Sequence, residues 1–174
     1  MSEAILGRQA GASGLSGPAL ARLIALLLPL ALLGGALGSQ YLGGLVPCEM
    51  CYWQRWPHGA AILLAGLAFT APAGSERSRT LTLLAAIAIA VSGAIGVYHA
   101  GVELGIFEGL TTCAATAGGA SNAELLEQIM KTPLVRCDQV QFAFLGISMA
   151  GWNAILSLGG AAVIAWLALK GRKA

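Results

Sequence analysis

The segment Val46-Pro47-Cys48-Glu49-Met50-Cys51-Tyr52-Trp53-Gln54-Arg55-Trp56-Pro57 places a C-x-x-C between two long apolar stretches, with an arginine four residues beyond the second cysteine. Upstream lies the stretch at about 18–40; downstream come 54–72, 80–100 and 143–169. Each is long enough for a bilayer core of about 30 Å, which takes roughly 20 helical residues. Only helices suit them, because lipid offers backbone groups no partner. The composition agrees: 57% of the 174 residues are hydrophobic, 10% are charged and mean hydropathy is +0.76, far more apolar than an ordinary soluble domain. The sequence therefore predicts an all-α membrane protein, a bundle of four transmembrane helices.

Charge sets the orientation. Arg8, Arg22, Arg77, Arg79, Lys170, Arg172 and Lys173 fall on one side of such a bundle, seven of the ten basic residues. The positive-inside rule assigns that side to the cytoplasm, with both termini. The other side takes the loops at about 41–53 and 101–142 and all four cysteines, Cys48, Cys51, Cys113 and Cys137. The second loop is acidic, and the net charge of +2 is spread in a way that gives no reason to expect nucleic acid as a partner. Residues 1–17 read as a flexible cytoplasmic tail, 18–169 as the transmembrane domain and 170–174 as a basic cytoplasmic tail. Arg22 followed by Leu23–Leu33, Ala36 and Gly38 has the form of a secretory signal with its cleavage site. An uncleaved first span agrees better with the charge at the other end, since four spans bring both termini to the same side.

The second span is the unusual one. Counting back from Ala71-Pro72-Ala73-Gly74 brings its start to the C-x-x-C, yet Pro57 is comfortable only in a first helical turn. Either the helix begins near Trp56 and is short, or it begins earlier and carries Pro57 inside. Both alternatives put Cys51 and Arg55 at the lip of the membrane, where Tyr52, Trp53 and Trp56 serve as interfacial anchors. A C-x-x-C at a helix start beside a cation is a setting that lowers a thiol pKa. Arg55, about one turn past Cys51, can stabilise a thiolate or an anionic acceptor electrostatically, because arginine does not exchange protons.

Cys113 and Cys137 stand 24 positions apart in the acidic loop. Between them, Ser121-Asn122-Ala123-Glu124 has the form of a capping box, and Leu125, Leu126, Ile129 and Met130 recur at helical spacing. That predicts a short amphipathic helix on the membrane surface, ended before Pro133. A four-cysteine zinc site commonly joins two close pairs, whereas here only one pair is close, so no metal is expected. Two inert disulfides in a structural tetraspan protein are one alternative. The other is a relay, in which a loop disulfide takes electrons from a soluble dithiol, passes them to the C-x-x-C by thiol exchange, and releases them to a lipid-soluble acceptor such as a quinone.

Four spans, Pro47-Cys48-x-x-Cys51 with Gln54-Arg55-x-Pro57, Tyr98-His99 with Glu103-Leu104, the Cys113 to Cys137 loop, Cys137-Asp138, and Phe144-Leu145-Gly146-Ile147-Ser148-Met149-Ala150-x-Trp152-Asn153 together resemble the DsbB family of bacterial disulfide bond formation proteins. The resemblance spans about residues 18–169. It implies an inner-membrane thiol:quinone oxidoreductase that reoxidises a periplasmic DsbA-like protein and passes the electrons to ubiquinone or menaquinone. It further implies that the DsbA-like protein attacks a Cys113–Cys137 disulfide at Cys113, that Cys137 then engages Cys48, and that Cys51 is left as the thiolate facing the quinone. Arg55 and His99 match quinone-site positions, while His58 carries no implied role. A quinone oxidoreductase resembling vitamin K epoxide reductase is the other enzyme considered, but that family places its C-x-x-C in the last span.

Overall fold

The computed structural model describes residues 16–109 and 135–170. Four helices account for most of them: α1 (Gly17–Tyr41), α2 (Glu49–Ala68), α3 (Glu76–Glu103) and α4 (Met149–Lys170). Cys113, the amphipathic helix expected near 121–132 and most of both terminal tails lie outside the described residues.

Local chemistry sets the helix starts. Pro18 occupies the first turn of α1, where its missing N–H costs nothing. Ser75 caps α3, its side chain accepting from the amide of Ser78 at 3.3 Å. At α2 the capping residue is Cys48, whose sulfur accepts from the amide of Cys51 at 3.4 Å. The helix thus begins five residues before the expected 54, runs unbroken through Pro57, and ends at Ala68 rather than 72. Of the two alternatives for Pro57, the structure takes the early start with proline inside.

A second boundary also moves. The apolar run from 143 opens not as helix but as two short antiparallel strands, β1 (Ala143–Phe144) and β2 (Ile147–Ser148). Between them Leu145 and Gly146 both have positive φ, 53° and 77°, the backbone of a two-residue hairpin turn. Trp152 fastens this hairpin to α4, its indole N–H donating to the carbonyl of Phe144 at 3.0 Å.

The bundle is built around small side chains. Ala21, Ala25, Ala61, Ala65, Ala85 and Ala161 form its centre with Ile89 and Ile164, while Leu63 (71% exposed), Ile87 (59%) and Ile155 (53%) point outward. Water would favour the reverse arrangement, whereas helices packing in lipid choose small residues at their contacts. α1, α3 and α4 are long and apolar enough to cross a membrane. The 20 residues of α2 span about 30 Å, but its first turns carry Glu49, Gln54, Arg55 and His58.

Neighbouring helices run in opposite directions. Arg22, early in α1, donates to the carbonyl of Ala71 just beyond α2 at 3.0 Å and lies 4.5 Å over the Phe69 ring. That end also carries Arg77, Arg79 and Lys170, and the cysteines stand at the other.

Candidate functional site

At the cysteine end, α1, α2, the last turn of α3, α4 and the hairpin line a cavity of about 620 Å³. Its wall is mostly apolar, supplied by residues such as Leu32, Ala36, Phe142 and Met149, and Cys51, Arg55 and Glu103 break that surface. An apolar chamber with a few polar groups suits a flat, largely hydrophobic small molecule.

Cys48 and Cys51 occupy the first turn of α2, ahead of the apolar stretch from about residue 54, with their sulfurs 3.0 Å apart. The hydrogen bond that Cys48 donates to Cys51, with burial, pushes the Cys48 thiol up. The same hydrogen bond holds Cys51 down at about 7, against the opposing effect of burial, and the Arg55 charge adds to the lowering. The pair is therefore asymmetric: Cys48 is the buried thiol that resists ionisation and Cys51 the more exposed and more acidic one, both at the cavity wall. Cys51 also gains from the unpaired amides of the helix N-terminus.

Arg55 is held from α1. Its guanidinium donates to Gln40 Oε1 at 2.5 Å and to the carbonyl of Ala36 at 3.2 Å, with its charge 5.1 Å from the centre of the Tyr52 ring. Its Nε is buried and makes no hydrogen bond within the protein. The charge expected beside the dithiol is there, fixed rather than trailing into solvent.

Cys137 is buried in one cluster with Cys48, Met50 and Val102, with Cys51, Tyr98 and Val135 packed against it. Loop and helix cysteines that are 86 or more positions apart in the chain are thus brought together. His99, on the last turn of α3, stands between them: its Nε2 is 3.6 Å from the Cys48 sulfur, and the ring also meets the backbone carbonyl of Cys137.

Three participants were not singled out as site residues by the sequence. Glu103, one turn beyond His99, has a side chain only 8% exposed, with Oε1 3.9 Å from His99 Nε2 and Oε2 making no hydrogen bond within the protein. Gln54 bonds His99 Nδ1 at 2.8 Å, and Asn153 of α4 bonds Gln54 Oε1 at 2.8 Å. The signal for all three was a polar residue inside or closing an apolar stretch, which membrane helices keep for contacts inside the bundle. The sulfurs of Cys48 and Cys51 and Nε2 of His99 lie within 4.8 Å of one another.

A helical membrane bundle that ends in an asymmetric dithiol beside a fixed cation and an apolar chamber belongs to the class of membrane thiol oxidoreductases. The comparisons make this specific: residues 18–167 match the family described as disulfide bond formation protein DsbB. The disulfide bond formation protein B of Hahella chejuensis is 32% identical over 146 residues, 78% of this chain and 86% of the relative. That of an Azoarcus species is 31% identical over 154 residues, 82% and 87%. An uncharacterized protein of Rickettsia prowazekii is 25% identical over 123 residues, 69% and 70%. No solved structure matches the chain. This chain belongs to the DsbB family, and is an integral membrane oxidoreductase of disulfide bond formation.

Proposed function

We propose that the chain is a thiol:quinone oxidoreductase with four membrane spans, α2 being the fourth, held in the bacterial inner membrane with both termini in the cytoplasm and the cysteines on the periplasmic side. A reduced DsbA-like protein attacks the Cys113–Cys137 disulfide at Cys113, Cys137 engages Cys48, and Cys51 is left as thiolate. The observation that carries this reading is the division of the C-x-x-C. Cys48 is buried in one cluster with Cys137, while Cys51 is the more exposed of the two sulfurs at the wall of the apolar cavity that both line with Arg55.

The residues around the cavity fit a quinone: apolar walls for the ring and tail, and a fixed guanidinium for an oxygen that gains negative charge. When bound, the quinone supplies a two-electron sink, ubiquinone and menaquinone both suiting these walls. Arg55 orients it and stabilises anionic charge, the hairpin and Met149 exclude water, and Cys51 presents its sulfur. The interfacial helix near 121–132 would keep the long loop close to the bilayer and Cys113 within reach.

The deciding experiment follows quinone reduction spectroscopically in detergent-solubilised protein, on adding a reduced DsbA-like protein, with Cys51→Ser, Cys113→Ser and Cys137→Ser alongside. Turnover is expected in the parent and absent in each variant. A folded parent that reduces neither quinone class with more than one such partner would overturn the assignment.

A further inference from the structure

Beneath the dithiol, five polar side chains from three helices are hydrogen-bonded in an order that fixes where the protons lie. Gln54 Nε2 is 3.1 Å from the carbonyl of Met50 and 2.8 Å from His99 Nδ1, while Gln54 Oε1 accepts from Asn153 Nδ2. Asn153 Nδ2 also donates to the carbonyl and hydroxyl of Ser92, each at 3.2 Å, and Asn153 Oδ1 accepts from Ser157 at 2.9 Å. The carbonyls of Met50 and Ser92 only accept, so each amide has one orientation. Rotating Gln54 would set its oxygen against the Met50 carbonyl and its nitrogen against that of Asn153. With Gln54 donating, His99 Nδ1 must accept. In the neutral ring the hydrogen then sits on Nε2, the atom facing the Cys48 sulfur.

We infer that Gln54 and Asn153 are positioning residues that hold His99 as its Nε2–H tautomer, so that the ring donates a hydrogen bond toward the Cys48 sulfur whenever that sulfur carries negative charge. This deepens the thiol-exchange reading and rests on its premise that Cys48 reacts. In the relay, Cys113 thiolate attacks the Cys137 sulfur, a Cys113–Cys137 bond forms, the Cys48–Cys137 bond breaks, and Cys48 departs with the electron pair. No proton moves in that step; a hydrogen-bond donor at Cys48 favours it by stabilising the leaving thiolate.

Cys51 and Cys137 act on that sulfur directly, Tyr98 from α3 packs against the same cluster, the cavity wall around it carries Arg55 and His58 from α2 and Glu103 from α3, and Glu49 is exposed; α1 and α4 bring no titratable side chain to that wall. The backbone carbonyl of Cys137 is the other acceptor that the His99 ring meets, and Glu103 Oε1 stands 3.9 Å from Nε2; the Cys137 carbonyl takes the hydrogen while Cys48 is neutral.

The chain has two histidines, so nitrogen NMR of protein labelled with 15N-histidine in detergent micelles, with His99→Gln for assignment, reads the tautomer directly. Parent protein is expected to carry the His99 hydrogen on Nε2. Gln54→Glu replaces the donor by a carboxylate, which draws the hydrogen to Nδ1; Gln54→Met removes the preference. Reduction of the Cys48–Cys51 disulfide by dithiothreitol, in a Cys113→Ser, Cys137→Ser background, then slows in Gln54→Glu by roughly tenfold to a hundredfold, the loss of one hydrogen bond to an ionised group. Attack at the more accessible Cys51 sulfur releases Cys48 as the thiolate in that reaction. A purely structural role would lower thermal stability and leave the tautomer in place. An Nδ1–H ring in the parent overturns the inference even if no variant folds, and so does an unchanged exchange rate in a folded Gln54→Glu whose hydrogen has moved. Neither partner protein nor quinone enters these measurements, so they stand or fall apart from the assignment of the acceptor.

Discussion

The asymmetry of the dithiol makes a prediction that can be worked through in numbers. Cys51 is lowered from 9.0 to about 7, chiefly by the hydrogen bond from Cys48. At pH 7 a thiol of that pKa is about half ionised, against about 1% for an ordinary thiol, a gain of roughly fiftyfold in thiolate. Each thiolate is a weaker nucleophile, by about six- to tenfold across two pH units at a Brønsted slope of 0.4–0.5. The net advantage at pH 7 is therefore only some five- to eightfold, and the shape of the pH profile is the sharper readout. In reduced protein carrying Cys113→Ser and Cys137→Ser, alkylation by iodoacetamide should rise to a plateau with a midpoint near pH 7. Cys48→Ala removes the donor and should move that midpoint up by about one pH unit or more; Cys48→Ser, which keeps an O–H in place, should fall between. A parent midpoint at 9, or a Cys48→Ala profile superposable on the parent, would falsify the claim that Cys48 holds Cys51 as thiolate.

Arg55→Met should raise the quinone KM by roughly tenfold to a hundredfold, the worth of one charge-assisted hydrogen bond, and Arg55→Lys should restore only part, since lysine lacks the fork that meets Gln40 and Ala36. Quinone titration at saturating reduced partner measures both, and equal KM values in all three proteins would remove Arg55 from the site. At Gly96 of α3 a Cβ would lie 3.0 Å from the carbonyl oxygen of Ala150 and 3.1 Å from the amide nitrogen of Ala154. Because backbone cannot give way as a side chain does, Gly96→Val should cost about 1–3 kcal/mol, seen as a lower Tm in detergent. An unchanged Tm would mean that α3 and α4 are not in contact there.

Much of this was legible in the sequence, and the gaps have physical causes. Length and hydropathy locate four apolar stretches because burying some 20 residues in lipid constrains composition strongly; α1 and α3 begin and end within a few residues of where the sequence puts them. The start of α2 was ambiguous because Pro57 competes with a cap that no ordinary rule supplies, a cysteine sulfur accepting from the amide of Cys51. The hairpin before α4 is not visible in the pattern because Phe144-Leu145-Gly146-Ile147 is apolar throughout, and period alone does not separate a short apolar strand from helix. Cys48, Cys51, Cys137 and Arg55, which the fold brings to one end of the bundle, were singled out from their chemistry. Gln54 and Asn153 needed the fold, since 99 positions separate the two amides that meet at 2.8 Å.

In the proposed relay, the spacing of the C-x-x-C would let electrons enter from the loop and leave toward the lipid across a single helical turn. Three residues on a helix turn the chain through about 300°, so two cysteines at that spacing lie close enough to share a hydrogen bond while their outer faces look in different directions. Cys48, capping α2, is buried beside His99 and Cys137; Cys51 is the more exposed sulfur at the cavity wall that the two share with Arg55. A C-x-C would set the sulfurs on opposed sides of the turn, and a C-x-x-x-C would carry the second sulfur a further 1.5 Å, or about one residue's rise, along the axis. Insertion of one alanine between Met50 and Cys51 tests this directly. The thiols would remain reducible and Cys51 would keep its place one turn before Arg55, but Cys48 would rotate away from it, and the Cys51 alkylation midpoint should rise from near 7 toward that of an ordinary thiol. A midpoint that stays near 7 after the insertion would show that the helix N-terminus and Arg55, and not the register of the two sulfurs, hold the thiolate.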